Sequence, residues 1–283
     1  MAGNPRPVTR LRVLRTERLT PHLIRIVSAG DGFRPNEFTD AYVKVLFPVP
    51  GVTYPEPFDL AVIRAELPRE QWPRMRSYTV RNYDPPTGEL TLDFVHHGDE
   101  GLAGPWAAAA KPGDELLVSG PGGAYAPGDE ADWHLLAGDE SALPAIAASL
   151  EAMPAGVPAH VFVEVADAAE EQVLVTKADA RITWLHRGSG GLPPVGGMGA
   201  EPPQDTATGD ADLARAVRKL DFPAGTVQAF VHGEAGFVRQ LRRYLLDERG
   251  VRRDLLSISG YWRRGATDEQ WRAEKAAERA AGT

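Results

Sequence analysis

Apolar positions along the first 127 residues come in short runs separated by turn chemistry. The runs at 11–14, 23–28 and 41–47 are rich in Val, Ile and Leu, and Asp/Gly or Pro/Gly pairs punctuate them. Two further runs, at 77–82 and 90–97, flank Asp-Pro-Pro-Thr-Gly at 84–88. There Pro presets φ and Gly supplies a positive φ, so the pair reads as a β-hairpin. Another strand at 114–119 is entered through Lys-Pro-Gly. Regular short strands of this kind predict an antiparallel barrel or sandwich. Near Gly128 the pattern changes. Buried-type strands at 133–137, 159–165, 182–186, 227–232 and 256–259 alternate with helical stretches at 142–152, 213–220 and 237–246, and a polar helix at about 268–280 reads as a solvated surface helix. Such alternation predicts a parallel, doubly wound sheet. The expected organisation is a β-barrel over 1–127 and an α/β domain over 128–283. The Gly- and Pro-rich segment 188–209 reads as a long loop within the second.

Composition narrows the chemistry. With 43% hydrophobic and 25% charged residues the chain is ordinary for a globular protein, and a net charge of −8 gives no basic field for nucleic acid. Cysteine is absent, which excludes disulfides, iron–sulfur clusters and zinc–thiolate sites. Redox chemistry would then need a bound organic cofactor or some other metal site, for which the seven His leave room. No run approaches the ~20 apolar residues of a membrane span and no signal-peptide core is visible, so the expectation is a cytoplasmic monomer without membrane or nucleic-acid partners.

Two motifs carry chemistry. In Arg-Ser-Tyr-Thr-Val-Arg at 76–81, residues two apart share a strand face, so Arg76 and Tyr78 point together. A guanidinium beside an aromatic ring suits a ligand with both a diphosphate and a flat ring system; an amphipathic edge strand with a surface Arg would show the same pattern. In the second motif, at 94–107, a strand ending at His97 meets Gly98, Gly101 and Gly104 before a short helix near Ala103. Such glycines let a backbone approach a ligand closely. His97 reads equally as a structural His, and a metal site at His96 and His97 is disfavoured because adjacent strand residues face opposite sides.

These motifs, with Gly-Asp-Glu-Ser at 138–141, Trp-Leu-His-Arg-Gly at 184–188, Gly-Glu-Ala at 233–235 and Gly-Tyr-Trp-Arg-Arg-Gly at 260–265, resemble the siderophore-interacting protein family. Members are flavin-containing ferric-siderophore reductases and distant relatives of the ferredoxin–NADP reductases. The resemblance spans nearly the whole chain, with Leu102 in place of an expected Pro and Ser141 of an expected Thr. It implies FAD held by Arg76, Tyr78, Thr79, Val80, Asp93, Val95, His97, Gly101 and Ala103. It implies a nicotinamide nucleotide at Asp139, Ser141, Arg187, Glu234 and Arg239. Arg187 with His186 at a strand end suits a 2′-phosphate, so NADPH is expected, with NADH possible. Lys44, Arg263 and Arg264 are expected to gather at the domain interface and hold an anionic ferric siderophore. No resident metal and no acid–base triad is expected. The implied activity is NADPH-dependent reduction of Fe(III)-siderophore with release of Fe(II). The alternatives are a flavin reductase serving a protein partner and a non-enzymatic ferric-siderophore binder.

Overall fold

The computed structural model describes residues 7–99, 101–187 and 211–280. Six strands, β1 (Val8–Thr20), β2 (Leu23–Ala29), β3 (Tyr42–Phe47), β4 (Arg74–Asp84), β5 (Glu89–Val95) and β6 (Glu115–Gly122), close into an antiparallel barrel in the order β1-β2-β5-β4-β3-β6. Inward positions alternate along each strand and fill the barrel with Leu11, Ile26, Val43, Leu92 and Phe94. β1 runs well beyond the predicted 11–14. Its second half, Arg15 to Arg18, pairs only with β2 and is exposed, so no apolar alternation announces it. A short helix, α1 (Leu60–Glu66), has no counterpart in the apolar pattern. It buries only Leu60 and Ile63, and Asp59 caps it by accepting from Ala61 N and Val62 N. A second short helix, α2 (Ala103–Ala109), follows β5.

The second layer is a parallel sheet of β7 (Trp133–Asp139), β8 (Pro158–Val165), β9 (Asp179–His186), β10 (Val227–Glu234) and β11 (Leu256–Trp262), ordered β11-β10-β7-β8-β9. Every residue of β7 is buried, as a central strand covered on both faces requires. Helix α3 (Leu143–Ala152) covers one face. Helices α4 (Asp212–Arg218) and α5 (Ala235–Arg243) cover the other with Leu213, Phe237 and Leu241. The chain leaves β7 toward β8 on one side and returns to β10 on the other, so the strand order reverses at β7/β10, where open α/β sheets bind ligands. The segment 188–209 lies outside the described residues. Among the described residues no helix is long and apolar enough to cross a membrane.

Two expectations are corrected. β11 extends through Trp262, so Tyr261 and Trp262 are strand residues rather than followers of the strand. The final helix, α6 (Asp268–Ala280), is not simply a solvated surface helix. Trp271 is buried, Arg272 donates to the Met75 carbonyl at 2.7 Å, and Lys275 donates to Ser259 Oγ and the Gly260 carbonyl. The helix therefore ties β11 to barrel strand β4. Barrel and sheet meet elsewhere through Thr39 Oγ1 and Ser149 Oγ at 2.8 Å, and through Arg81 clamped on Glu151 of α3.

Candidate functional site

On the barrel side the site is built on β3 and β4, where Lys44 pairs with Ser77, Val45 with Arg76 and Val43 with Tyr78. The Tyr78 ring packs 4.1 Å from the Phe94 ring at 32°, and Phe94 rests on Trp106 of α2. Burial pushes the Tyr78 hydroxyl pKa upward, so it stays protonated and can only hydrogen-bond, not act as a base. Arg76 meets two carboxylates of α6, Asp268 at 3.1 Å and Glu269 at 2.9 Å. Lys44 donates to Ser77 Oγ. Beside them, Gly98 and Gly101 take positive φ of 89° and 87°, a conformation open to glycine, at the turn between β5 and α2.

These residues fit a flavin dinucleotide. An arginine that already grips two oxyanions stands beside an aromatic ring, with a glycine turn close by. The diphosphate would take the places of the two carboxylates and the ring system would lie on Tyr78. The other residues expected to hold FAD are placed less directly. Thr79 is buried, and Val80 faces the barrel core while its N–H donates to the Ala41 carbonyl at 2.7 Å. Asp93 is buried against Arg25 at 2.7 and 2.8 Å, on the opposite face of β5 from Phe94. The structure thus gives Asp93 a barrel partner. Val95 ends β5, His97 follows it, and Ala103 opens α2 in the barrel core.

On the sheet side one carboxylate organises the strand ends. Asp139 Oδ1 accepts from Ser141 N at 2.9 Å and Ser141 Oγ at 2.5 Å, while Oδ2 accepts from Glu234 N and Trp262 Nε1, both at 2.8 Å. Gly233, at φ +137°, allows this approach, because a Cβ there would lie 2.5 Å from Asp139 Oδ2. Glu234 caps α5 through Gly236 N and accepts from Arg264 N at 3.2 Å. Arg239 is exposed on α5.

Two expectations about cations do not match the geometry. Arg187 is not presented outward; it is buried between Glu140 and Glu164, and His186 Nε2 lies 2.8 Å from Glu171. Burial pushes the Glu140 carboxyl up to about 7, against the opposing pull of Arg187. Lys44, Arg263 and Arg264 do not share partners either. Lys44 acts on Asp268, Arg263 pairs with Glu274 at 2.6 Å, and Arg264 sits over Glu234 and acts on Glu164. The last two arginines follow β11, so the extra length of that strand carries them toward the sheet's strand ends.

Sequence reasoning also passed over His232, a lone His in an apolar strand. Its ring stacks on Phe230 at 4.1 Å and lies 4.9 Å from Tyr261, and Nε2 is 2.9 Å from Ser257 Oγ. Burial, with help from Lys275 and Arg242, lowers its pKa to about 3. The unfolded chain would take up this proton near pH 6.5 and the folded chain only near 3. The stability that neutral His232 confers is therefore present above pH 6.5 and is lost as pH falls toward 3. Between pH 7.5 and 5 the wild type should lose about 2 kcal/mol relative to His232→Gln. Parallel denaturation curves for the two proteins across that range would refute the assignment.

Comparison with known proteins adds to this geometry. Residues 12–125 match the model of a siderophore-interacting FAD-binding domain, and residues 131–265 match that of the siderophore-interacting protein. The chain is 33% identical over 276 residues to a ferric vibriobactin reductase of Vibrio cholerae, covering 94% of this chain and 93% of the relative. It is 31% identical over 261 residues to an NADPH-dependent ferric-chelate reductase of Escherichia coli, covering 89% and 91%. The crystal structure of a siderophore utilization protein from T. fusca superposes with a TM-score of 0.74 at 39% identity, covering 94% of this chain and 96% of that one.

Proposed function

The chain belongs to the siderophore-interacting protein family, and on that premise we propose that it is an FAD-containing ferric-siderophore reductase drawing electrons from a nicotinamide nucleotide. The barrel takes the flavin and the α/β layer takes the donor, with the division between them near residue 127. The observation that carries the reading is the pairing of Arg76 with Tyr78 on one strand, at the place where α6 ties the barrel to β11.

Bound FAD supplies the conversion of a two-electron hydride into single electrons, so one donor serves two Fe(III) chelates. Arg76 holds the diphosphate, and Tyr78, braced by Phe94, offers the flat surface for the ring system. Asp139 fixes Ser141, Glu234 and Trp262 at the strand ends, which sets the shape of the donor crevice. Lys44, which like Arg76 acts on Asp268, is assigned to the anionic ferric chelate; Arg263 pairs with Glu274 of α6, and Arg264 donates its backbone N–H to Glu234 at the sheet. Loss of iron after reduction follows from chemistry, since hard oxygen ligands hold Fe(II) far more weakly than Fe(III).

The purified protein should be yellow, bleach anaerobically with nicotinamide donor, and recover its colour on adding ferric siderophore while an Fe(II) trap fills. Recovery only with a protein acceptor would favour a general flavin reductase. Arg76→Ala should weaken FAD binding at least about tenfold, the worth of one charge-assisted contact. Full flavin occupancy of that variant after dialysis would remove Arg76 from the diphosphate site.

A further inference from the structure

We propose that the first turn of α6 competes with the flavin diphosphate for Arg76, so that flavin uptake and docking of this turn on the barrel exclude one another. The inference rests on the reading of Arg76 as the residue that holds the diphosphate. Both terminal nitrogens of its guanidinium are engaged. Nη1 donates to the Met75 carbonyl at 3.0 Å and to Asp268 at 3.1 Å, and Nη2 pairs with Glu269 at 2.9 Å. A bidentate grip on a phosphate draws on two neighbouring N–H groups of the same fork. Two carboxylates from adjacent residues thus engage the fork through two oxyanions, as a phosphate would. A diphosphate brought to the same nitrogens would stand against both carboxylates, and like charges at that range repel.

The turn can leave Arg76 without stranding a charge or unfolding the helix. Asp268 has a second partner in Arg272, whose Nε lies 2.7 Å away one helical turn on, and Lys44 also acts on it. Glu269 is exposed and returns to water. Thr267 and Gln270 cap the turn reciprocally, Gln270 N donating to Thr267 Oγ1 at 3.2 Å and Thr267 N to Gln270 Oε1 at 2.8 Å, so it shifts as a unit. The rest of α6 is anchored by other contacts. Trp271 is buried against Gly260, where a Cβ would lie 2.9 Å from the indole, and Lys275 holds Ser259 Oγ and the Gly260 carbonyl. Flavin uptake thereby exchanges one tie between barrel and sheet for the cofactor, and α6 reports whether the diphosphate is in place.

The test titrates the full chain, freed of flavin, with FAD and follows flavin fluorescence. Glu269→Gln alters an exposed side chain and should tighten binding. Asp268→Asn combined with Glu269→Gln should tighten it by about tenfold, the factor expected if the turn leaves Arg76 about a tenth of the time. In an Arg76→Ala background the same changes should have no effect, because nothing is left to compete for. Hydrogen exchange gives a second readout: on adding FAD, the amides of 265–270 should exchange faster while those of β3 and β4 slow down. Unchanged or weaker FAD affinity in the double variant would overturn the proposal and make the two carboxylates positioning residues for Arg76. Tightening that persists without Arg76 would trace to the loss of negative charge alone and would overturn it as well, as would unchanged or slower exchange at 265–270. If Arg76→Ala binds FAD as well as the wild type does, the diphosphate reading falls and this proposal with it.

Discussion

Asp139→Asn should destabilise the protein by about 3–5 kcal/mol, nearly as much as Asp139→Ala, although it preserves shape. The reason is the number and polarity of the groups around it. Oδ1 accepts from Ser141 N and Oγ, and Oδ2 accepts from Glu234 N and Trp262 Nε1. An asparagine has one acceptor oxygen and one NH₂. Whichever way the amide turns, its NH₂ faces at least one backbone N–H, leaving a buried donor unpaired. The side chain is 1% exposed, so water cannot make good the loss. Urea denaturation gives the stability, and Trp262 fluorescence should change because its indole loses its anchor. A cost below about 1 kcal/mol would mean that the four donors find other partners.

Glu170 should behave in the opposite way toward its amide. This side chain, 2% exposed, leaves the turn after β8 and reaches the β1–β2 turn of the barrel. Its Oε2 accepts from Thr20 Oγ1 at 2.5 Å, and its Oε1 accepts from His22 N at 3.1 Å with the His22 ring nitrogen 2.7 Å away. Glutamine keeps an oxygen on His22, and the Thr20 hydroxyl can rotate to accept from the new NH₂. Glu170→Gln should therefore cost about 1 kcal/mol or less, and Glu170→Ala about 3 kcal/mol. Since the contact joins barrel and sheet, the Ala variant should also lose cooperativity, with the two halves unfolding in separate steps. A single sharp transition in the Ala variant, at wild-type midpoint, would show that Glu170 does not couple the halves.

Much of the architecture was legible from local pattern. The largely apolar run that became β7, broken only by His134 before its terminal Asp139, could be read as a buried strand, and Asp-Pro-Pro-Thr-Gly at 84–88 as the turn joining β4 to β5. The face shared by Arg76 and Tyr78 followed from strand geometry alone. These features depend on residues a few positions apart, so the sequence itself determined them. Helix α1 escaped because two buried side chains in seven residues make no periodic signal. Arg76 meets Asp268 across 192 residues, Thr20 meets Glu170 across 150, and Arg187 meets Glu140 across 47. The sequence supplied the charges, but only the tertiary structure decided which carboxylate each cation faces. An ion pair has no periodicity, and its partner is chosen by which strand ends and helix faces the fold brings within about 4 Å. The same physics turned Arg187 from an expected phosphate ligand into a buried partner of Glu140 and Glu164.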